Sequence, residues 1–518
     1  MVFLVRFFRF WPAALAVCSL PAGFFGPSDA LGQMETMRFE LGRRLTRFER
    51  AGETADSEGR MACVRPMEDA VRSFFSLQLD TAARLLDQST QRVQGTPTAK
   101  SIPWLAANRF SIDFETSWRD SQGGPLRFRL RQITPPSPSA TTSGSQDSND
   151  NFAASTPESL PFEKIGSLEL RLLDGNRPIA TGRWEGILPL FAPGTNEETG
   201  NEETWYSWEL PSLPAGDYQV SALCKTRDGE FDLIAEGLSI SKDLAPRMER
   251  VTAWYDENRR GKGETPIATA RWLAREMKQG EKGQPTEIDI PWNAWLEDFE
   301  ALRDRNIDYL KSLSRSDPRS HWLQLSDGAK SQIVRIGFPT PTSTPSPVLI
   351  VFHGAGGSEN MFFEAYGAGR LIDMAHERGW LVVSPRQSLN GLGMDIDGML
   401  DAIEPWFPID RSQVMLVGHS MGAAQAIAQV SAHADRVRAV AALGGGGMPR
   451  SSLRSSEVRF FVAAGDRDFG RPRAKSLADS LRNLDCDVSY REYSDVEHMV
   501  IVQAALTDVF AFLDHLEE

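Results

Sequence analysis

Cysteine and histidine are scarce in this chain, and long apolar runs are scarcer. Four cysteines in 518 residues, at positions 18, 63, 224 and 486, give no disulfide framework and no metal-ligand spacing. No metal and no cofactor is therefore expected, and a single bridge in an oxidising compartment stays open. No histidine precedes His321. Basic residues are outnumbered, 56 Lys and Arg against 70 Asp and Glu, so a general nucleic-acid binder, which needs a basic face, is not expected. Beyond the N-terminal segment, no stretch is long and apolar enough for a membrane span. What is present, 41% hydrophobic and 24% charged residues, is ordinary for a globular protein. The length suggests about three domains.

The N-terminal segment, 1–32, reads as an export signal. Arg6 and Arg9 precede the apolar run Trp11–Leu20, which is short for a bilayer, and Ser28-Asp29-Ala30 follows as a cleavage-type site. The expected location is therefore secreted or periplasmic. Phe24 and Phe25 extend the run, and Leu15-Ala16-Val17-Cys18 loosely resembles a lipobox, so membrane association is expected only if this segment stays uncleaved or is lipidated.

Four modules follow. Residues 33–100 carry apolar residues at helical spacing, among them Phe39, Leu45, Phe48, Phe74 and Phe75, and predict a small helical packing module. From 101 to 242 the period becomes two, as in Phe110-Ile112-Phe114 and Leu168-Leu170-Leu172, which predicts a β-sandwich-like module. Within it, residues 134–160 are too polar and Pro-rich to order and read as a disordered insertion. Trp184, Trp205, Tyr206 and Trp208 read as strand packing, with a sugar-binding platform as the sharper alternative. Residues 243–320 return to helical spacing and read as a connector, or as a lid.

Residues 321–518 alternate strands and helices, which predicts a mostly parallel sheet covered by helices on both faces. Its centre is Gly418-His419-Ser420-Met421-Gly422, between the apolar run Val414–Val417 and a helical run. Strand, G-x-S-x-G and helix is the context that forces a serine onto a tight turn and presents its hydroxyl. An earlier apolar run, Val348–Phe352, ends in His353-Gly354-Ala355-Gly356-Gly357. Neither Lys-Ser/Thr nor G-x-G-x-x-G follows there, which excludes a phosphate cradle.

On these motifs the C-terminal module resembles the α/β-hydrolase superfamily. V-L-I-V-F-H-G-A-G-G is similar to secreted esterases of the polyhydroxyalkanoate-depolymerase and feruloyl-esterase kind, and to prolyl-oligopeptidase-like catalytic domains. The resemblance implies the order nucleophile, acid, base. Ser420 would be the nucleophile. The acid would follow the strand Phe460–Ala464, where Asp468 matches the family pattern and Asp466 competes. Of the two histidines after Asp468, His498 lies in a loop where the family places its base, and His515 reads as a surface residue. The N–H of Met421 and, by family pattern, that of Ala355 flanked by Gly354 would stabilise an oxyanion. His419 reads as packing and His353 as a brace for the glycine loop. Leu389–Met399 and Met448 read as acyl-pocket lining or as loop packing. The expected partner is an ester, with polymeric or cell-surface substrates suiting a site that has no large inserted cap before the acid. A serine peptidase, or a surface binding protein with a non-catalytic hydrolase-like domain, are the competing readings.

Overall fold

The computed structural model describes residues 29–53, 55–93, 110–132, 165–175, 177–185, 205–226, 229–235, 237–260, 263–281, 288–316, 320–327, 330–339, 345–387, 393–454 and 456–515. The expected export signal, apart from its last few residues, the 134–160 insertion and the start of the 389–399 loop, 389–392, lie outside them. Among the described residues no helix is long and apolar enough to cross a membrane. The structure divides into two compact units. One holds residues 251–288 and 296–518 together with the N-terminal helices, and the other holds 96–250 and 289–295.

Among its described residues the second unit is all strand apart from helix ends. Nine strands hydrogen-bond into a single branched sheet, not into two separate ones. The branch lies at Gly216–Thr226, which pairs along one side with both Gly229–Ala235 and Leu238–Ser241, and along the other with Ile165–Asp174. The sheet curls, so that Trp184 on one terminal strand meets Trp208 on the other, with ring centroids 6.3 Å apart. Alternate residues Leu168, Leu170, Leu172, Leu126, Phe128, Val220 and Ala222 fill the single core inside. The expected two-layer sandwich is thus replaced by one sheet wrapped on itself, and the wrapping buries one face as a sandwich would. Trp208 is buried in that core and Trp184 and Tyr206 pack against it, while Trp205 lies beneath Arg127 and Arg129 at 5.2 and 5.1 Å. The aromatic cluster is packing.

The first unit is built on eight strands: β1 (Ser320–Ser326), β2 (Ser331–Gly337), β3 (Ser346–Phe352), β4 (Leu381–Pro385), β5 (Ile409–His419), β6 (Ala439–Leu443), β7 (Arg459–Gly465) and β8 (Asp487–Tyr493). Their order is β1-β2-β4-β3-β5-β6-β7-β8. β2 pairs antiparallel with both β1 and β4, and the rest of the sheet is parallel. Val348–Val351 and Val414–Val417 are essentially fully buried, because helices cover both faces of the centre. Each such side chain contributes roughly 1.5–3 kcal/mol of burial. The edge strand β1 has no counterpart in the sequence reading, and its exposed amides are satisfied from outside the sheet. Thr269 Oγ1 accepts from Gln324 N–H and Thr265 Oγ1 from Ser326 N–H, at 2.9 and 3.1 Å. The helix Thr265–Gly280, part of the segment read as a connector or lid, therefore closes the sheet edge.

Among the described residues three helices come first: α1 (Asp29–Glu53), α2 (Ser57–Phe75) and α3 (Leu79–Val93). Asp56 caps α2 through the Gly59 N–H at 2.8 Å. Their inner faces, Leu41, Leu45, Phe48, Met67, Ala70, Ala82 and Leu86, share one buried cluster with Ala365, and Met361, Met499 and Val500 pack against it. These helices are continuous with the core of the sheet unit. Cys63, Cys224 and Cys486 are buried, and none forms a disulfide among the described residues.

Candidate active site

The carboxyl ends of β3, β5, β6, β7 and β8 lie in register along one rim. Phe352 is opposite Gly418, His419 opposite Leu443, Leu443 opposite Ala463 and Gly465 opposite Tyr493. Such a rim is where loops from successive strands can converge on one substrate. The turn after β5 places Ser420 at φ 56°, ψ −114°, a conformation that costs a non-glycine residue of order 1–3 kcal/mol. Two close backbone approaches enforce it. A Cβ on Gly422 would sit 1.9 Å from the Phe352 carbonyl oxygen, and one on Gly418 2.3 Å from that of Gly422. The Ser420 N–H donates to Leu443 O at 2.8 Å, and helix α4 (Met421–Ala432) starts directly after the turn.

Ser420 Oγ lies 2.9 Å from His498 Nε2, and His498 Nδ1 lies 2.7 Å from Asp468 Oδ1. A carboxylate only accepts, so Nδ1 carries the proton and Nε2 is left to accept from the serine hydroxyl. His498 and Asp468 are buried, while Ser420 is partly open. Asp468 Oδ1 also accepts from the Gly470 N–H at 2.6 Å, which fixes the carboxylate. Asp466 is elsewhere, accepting from the Asp495 N–H at 2.8 Å. The structure thus brings together Ser420, His498 and Asp468 and leaves Asp466 as a turn residue. His515 ends the last helix and is exposed.

The glycine loop after β3 lies against the turn. A Cβ on Gly354 would fall 3.3 Å from that of Ser420. The Gly354 N–H is engaged, donating to Tyr366 Oη at 3.3 Å, so of the residues expected as donors Gly354 is held as a brace. Among the described residues, the N–H groups of Met421 and Ala355 have no acceptor. His353 holds the same loop, with Nδ1 donating to Gly354 O at 2.8 Å and Nε2 accepting from the Gln387 N–H at 3.3 Å.

Three participants were not legible beforehand. Tyr366 sits in a kink where Gly367, Ala368 and Gly369 all have positive φ. Its hydroxyl lies 2.9 Å from His419 Nδ1, while His419 Nε2 lies 2.8 Å from His498 O. The carbonyl must accept, so His419 is the Nε2–H tautomer and Tyr366 donates to Nδ1. Burial, with His498 beside it, pushes the His419 pKa well down, so it stays neutral. His419, expected as packing, is a hydrogen-bonded link. Glu497 is buried, and both carboxylate oxygens face the amides of Met499 and Val500 at 2.9 Å. Burial, only partly offset by those amides and His498, raises its pKa to about 7. Phe469 stands 55% exposed with its ring centroid 4.0 Å from the His498 ring. Only the Ala-Tyr-Gly-Ala-Gly spelling around Tyr366 hinted at any of these. Met394 and Met399 are core residues, and Met448 is 89% exposed.

No family model matches the chain. Among solved structures it is similar to a ferulic acid esterase (17% identity, 38% of this chain and 97% of that one, TM-score 0.33). A fluorophosphonate-binding serine hydrolase of Staphylococcus aureus matches at 16% identity over 38% of this chain and 98% of that one, with a TM-score of 0.31. A hyperthermophilic esterase of Pyrobaculum calidifontis matches at 12% identity over 41% and 91%, with a TM-score of 0.32. Strand order, a serine held on the turn after β5, and the succession Ser420, Asp468, His498 along the chain make the fold of the C-terminal part that of an α/β-hydrolase.

Proposed function

We propose that this protein is a serine hydrolase of carboxylic esters. The observation that carries the reading is the unbroken path Ser420 Oγ, His498 Nε2, His498 Nδ1, Asp468 Oδ1 at 2.9 and 2.7 Å, mounted on a backbone that holds the serine out of ordinary φ/ψ space. His498 takes the hydroxyl proton as Ser420 Oγ attacks the acyl carbon, and Asp468 stabilises the imidazolium. The carbonyl oxygen becomes an oxyanion facing the unengaged N–H groups of Met421 and Ala355, preorganised donors of the kind that supplies the largest share of such catalysis. The C–O bond then breaks, His498 returns the proton to the leaving alcohol, and an acyl-Ser420 ester remains. Water, deprotonated by His498, releases the acid and restores the serine. The ester and one water are the reactants, and the acid and the alcohol are the products.

Export through residues 1–32 belongs to the same proposal and rests on the sequence alone; N-terminal sequencing of protein recovered from the medium or periplasm tests it. The activity is tested with a fluorophosphonate probe and short p-nitrophenyl esters. Wild type is expected to label and turn over ester without cleaving peptides, and Ser420→Ala to do neither. Equal labelling of both proteins, or peptide cleavage exceeding ester cleavage, overturns it.

A further inference from the structure

The N-terminal helices end at the candidate active site. Thr46 Oγ1 on α1 donates to Glu364 O at 3.0 Å, and Gln503 Nε2 donates to Glu49 O at 2.7 Å. These two contacts fasten α1 to the segment after the glycine loop and to the helix Ile501–Asp514 that follows His498. α2 then delivers its last two residues to the rim. The Phe74 ring lies against Gly356 in the glycine loop, with Cζ 2.6 Å from where a Cβ would stand. The Phe75 ring meets Phe469 edge-on, at 6.5 Å and 89°, and Phe469 in turn lies over His498. Phe74 and Phe75 also pack edge-to-face on each other at 5.4 Å. A continuous aromatic wall thus runs from the glycine loop to the base. Its outer member, Phe469, stays 55% open to solvent, where solvent contact is unfavourable for such surface.

From this geometry we infer that α1–α3 form a built-in cap, and that Phe75 with Phe469 makes the subsite for the alcohol half of the ester, selecting aromatic or bulky apolar alcohols. The inference rests on the serine-hydrolase reading above. The assignment to the alcohol side follows from the chemistry. His498 hands its proton to the leaving oxygen, so the leaving group must sit beside the imidazole, which is where Phe469 and Phe75 stand. Phe74, on the glycine loop, stands on the oxyanion side. An edge-to-face ring partner contributes roughly 0.5–1.5 kcal/mol beyond burial, which is about a three- to tenfold preference.

The experiment compares 2-naphthyl acetate with phenyl acetate, which share an acyl group and have leaving groups of similar acidity. The full-length chain and its Phe75→Ala and Phe75→Leu variants are assayed. Phe75→Ala is expected to lower kcat/KM for the naphthyl ester about three- to tenfold more than for the phenyl ester, mostly through KM, with Phe75→Leu in between. The ratio of p-nitrophenyl butyrate to p-nitrophenyl acetate turnover should be unchanged, since the acyl side is untouched. An unchanged naphthyl-to-phenyl ratio, or a shift in the acyl-length ratio instead, overturns the assignment. Fluorophosphonate labelling of Ser420 separates the two failures. A variant that labels normally but keeps its alcohol preference refutes the cap, whereas a wild type that never labels refutes the hydrolase. If Phe75→Ala does not fold, Phe75→Leu reads the same ratio.

Discussion

His419 Nε2 donates to the backbone carbonyl of His498 at 2.8 Å, so the residue preceding Ser420 holds the loop that carries His498. Through Tyr366 the same link reaches the Gly354 N–H of the glycine loop. Ser420, His498 and the glycine loop are thereby referenced to one buried hydrogen-bond chain. A fully satisfied buried network is rigid, and a partly satisfied one is costly.

Tyr366→Phe removes the central hydroxyl while keeping the ring. It strands the Gly354 N–H and His419 Nδ1, which should destabilise the protein by about 1–3 kcal/mol. If the chain positions the catalytic groups, kcat falls with KM nearly unchanged. Initial-rate kinetics beside urea denaturation check both, and a stability loss with an unaltered kcat would confine Tyr366 to packing.

Asp468→Asn should lower kcat by roughly 10³–10⁴-fold near neutral pH, since an amide cannot stabilise the imidazolium and favours the wrong tautomer. Asp466→Asn, at a carboxylate that accepts from the Asp495 amide and not from His498, should change kcat by less than about threefold. Single-turnover measurements on both variants decide which carboxylate serves the histidine.

Gly422→Ala places a methyl 1.9 Å from the Phe352 carbonyl oxygen. Backbone on both sides leaves nothing to yield, so the variant should lose about 2–4 kcal/mol or fail to accumulate. Thermal melting and soluble yield read this directly.

Glu49 on α1 is fully buried, and neither of its side-chain oxygens has a hydrogen-bond partner of normal geometry. Burial raises its pKa well above the usual carboxyl range, and the neighbouring Glu497 raises it further. Glu497 itself titrates at about 7, again through burial first. The folded chain therefore keeps protons that the unfolded chain releases from about pH 4.5 upward. Bound protons are more numerous in the folded state, so stability falls as pH rises from there, through Glu497 up to about 7 and through Glu49 up to its own raised pKa. Glu49→Gln removes one titrating group and should flatten this fall. Calorimetric Tm values from pH 5 to 9 test it, and identical pH profiles for wild type and variant would dismiss the carboxyl pair as the cause.

The C-terminal sheet was legible in the sequence because its central strands are unbroken apolar runs, and only burial on both faces accommodates Val348–Phe352 or Val414–Val417. The β1 edge was not legible, since Ser320–Ser326 mixes polar and apolar residues and is completed by hydroxyls more than fifty positions away. The all-strand unit was readable as period-two strands. Whether they formed two sheets or one that curls is a matter of which strands pair, and alternation along a strand does not encode pairing.

The same division holds at the site. Local sequence determined the turn at Ser420, because two glycines and a strand-to-helix switch are neighbours along the chain, and the order of residues after it narrowed the acid and base to a few candidates. The choice of Asp468 over Asp466 was made by tertiary structure, where two carboxylates two residues apart point to different partners. The link from Tyr366 through His419 to His498 spans residues 53 and 79 positions apart. The approach of Phe75 to Phe469 joins helices near the N-terminus to a loop almost four hundred residues later. Amphipathic spacing said that α1–α3 had a face to bury. Only the folded chain showed that this face lies against Met361, Ala365, Met499 and Val500, because burial specifies an apolar partner and leaves its identity to long-range packing.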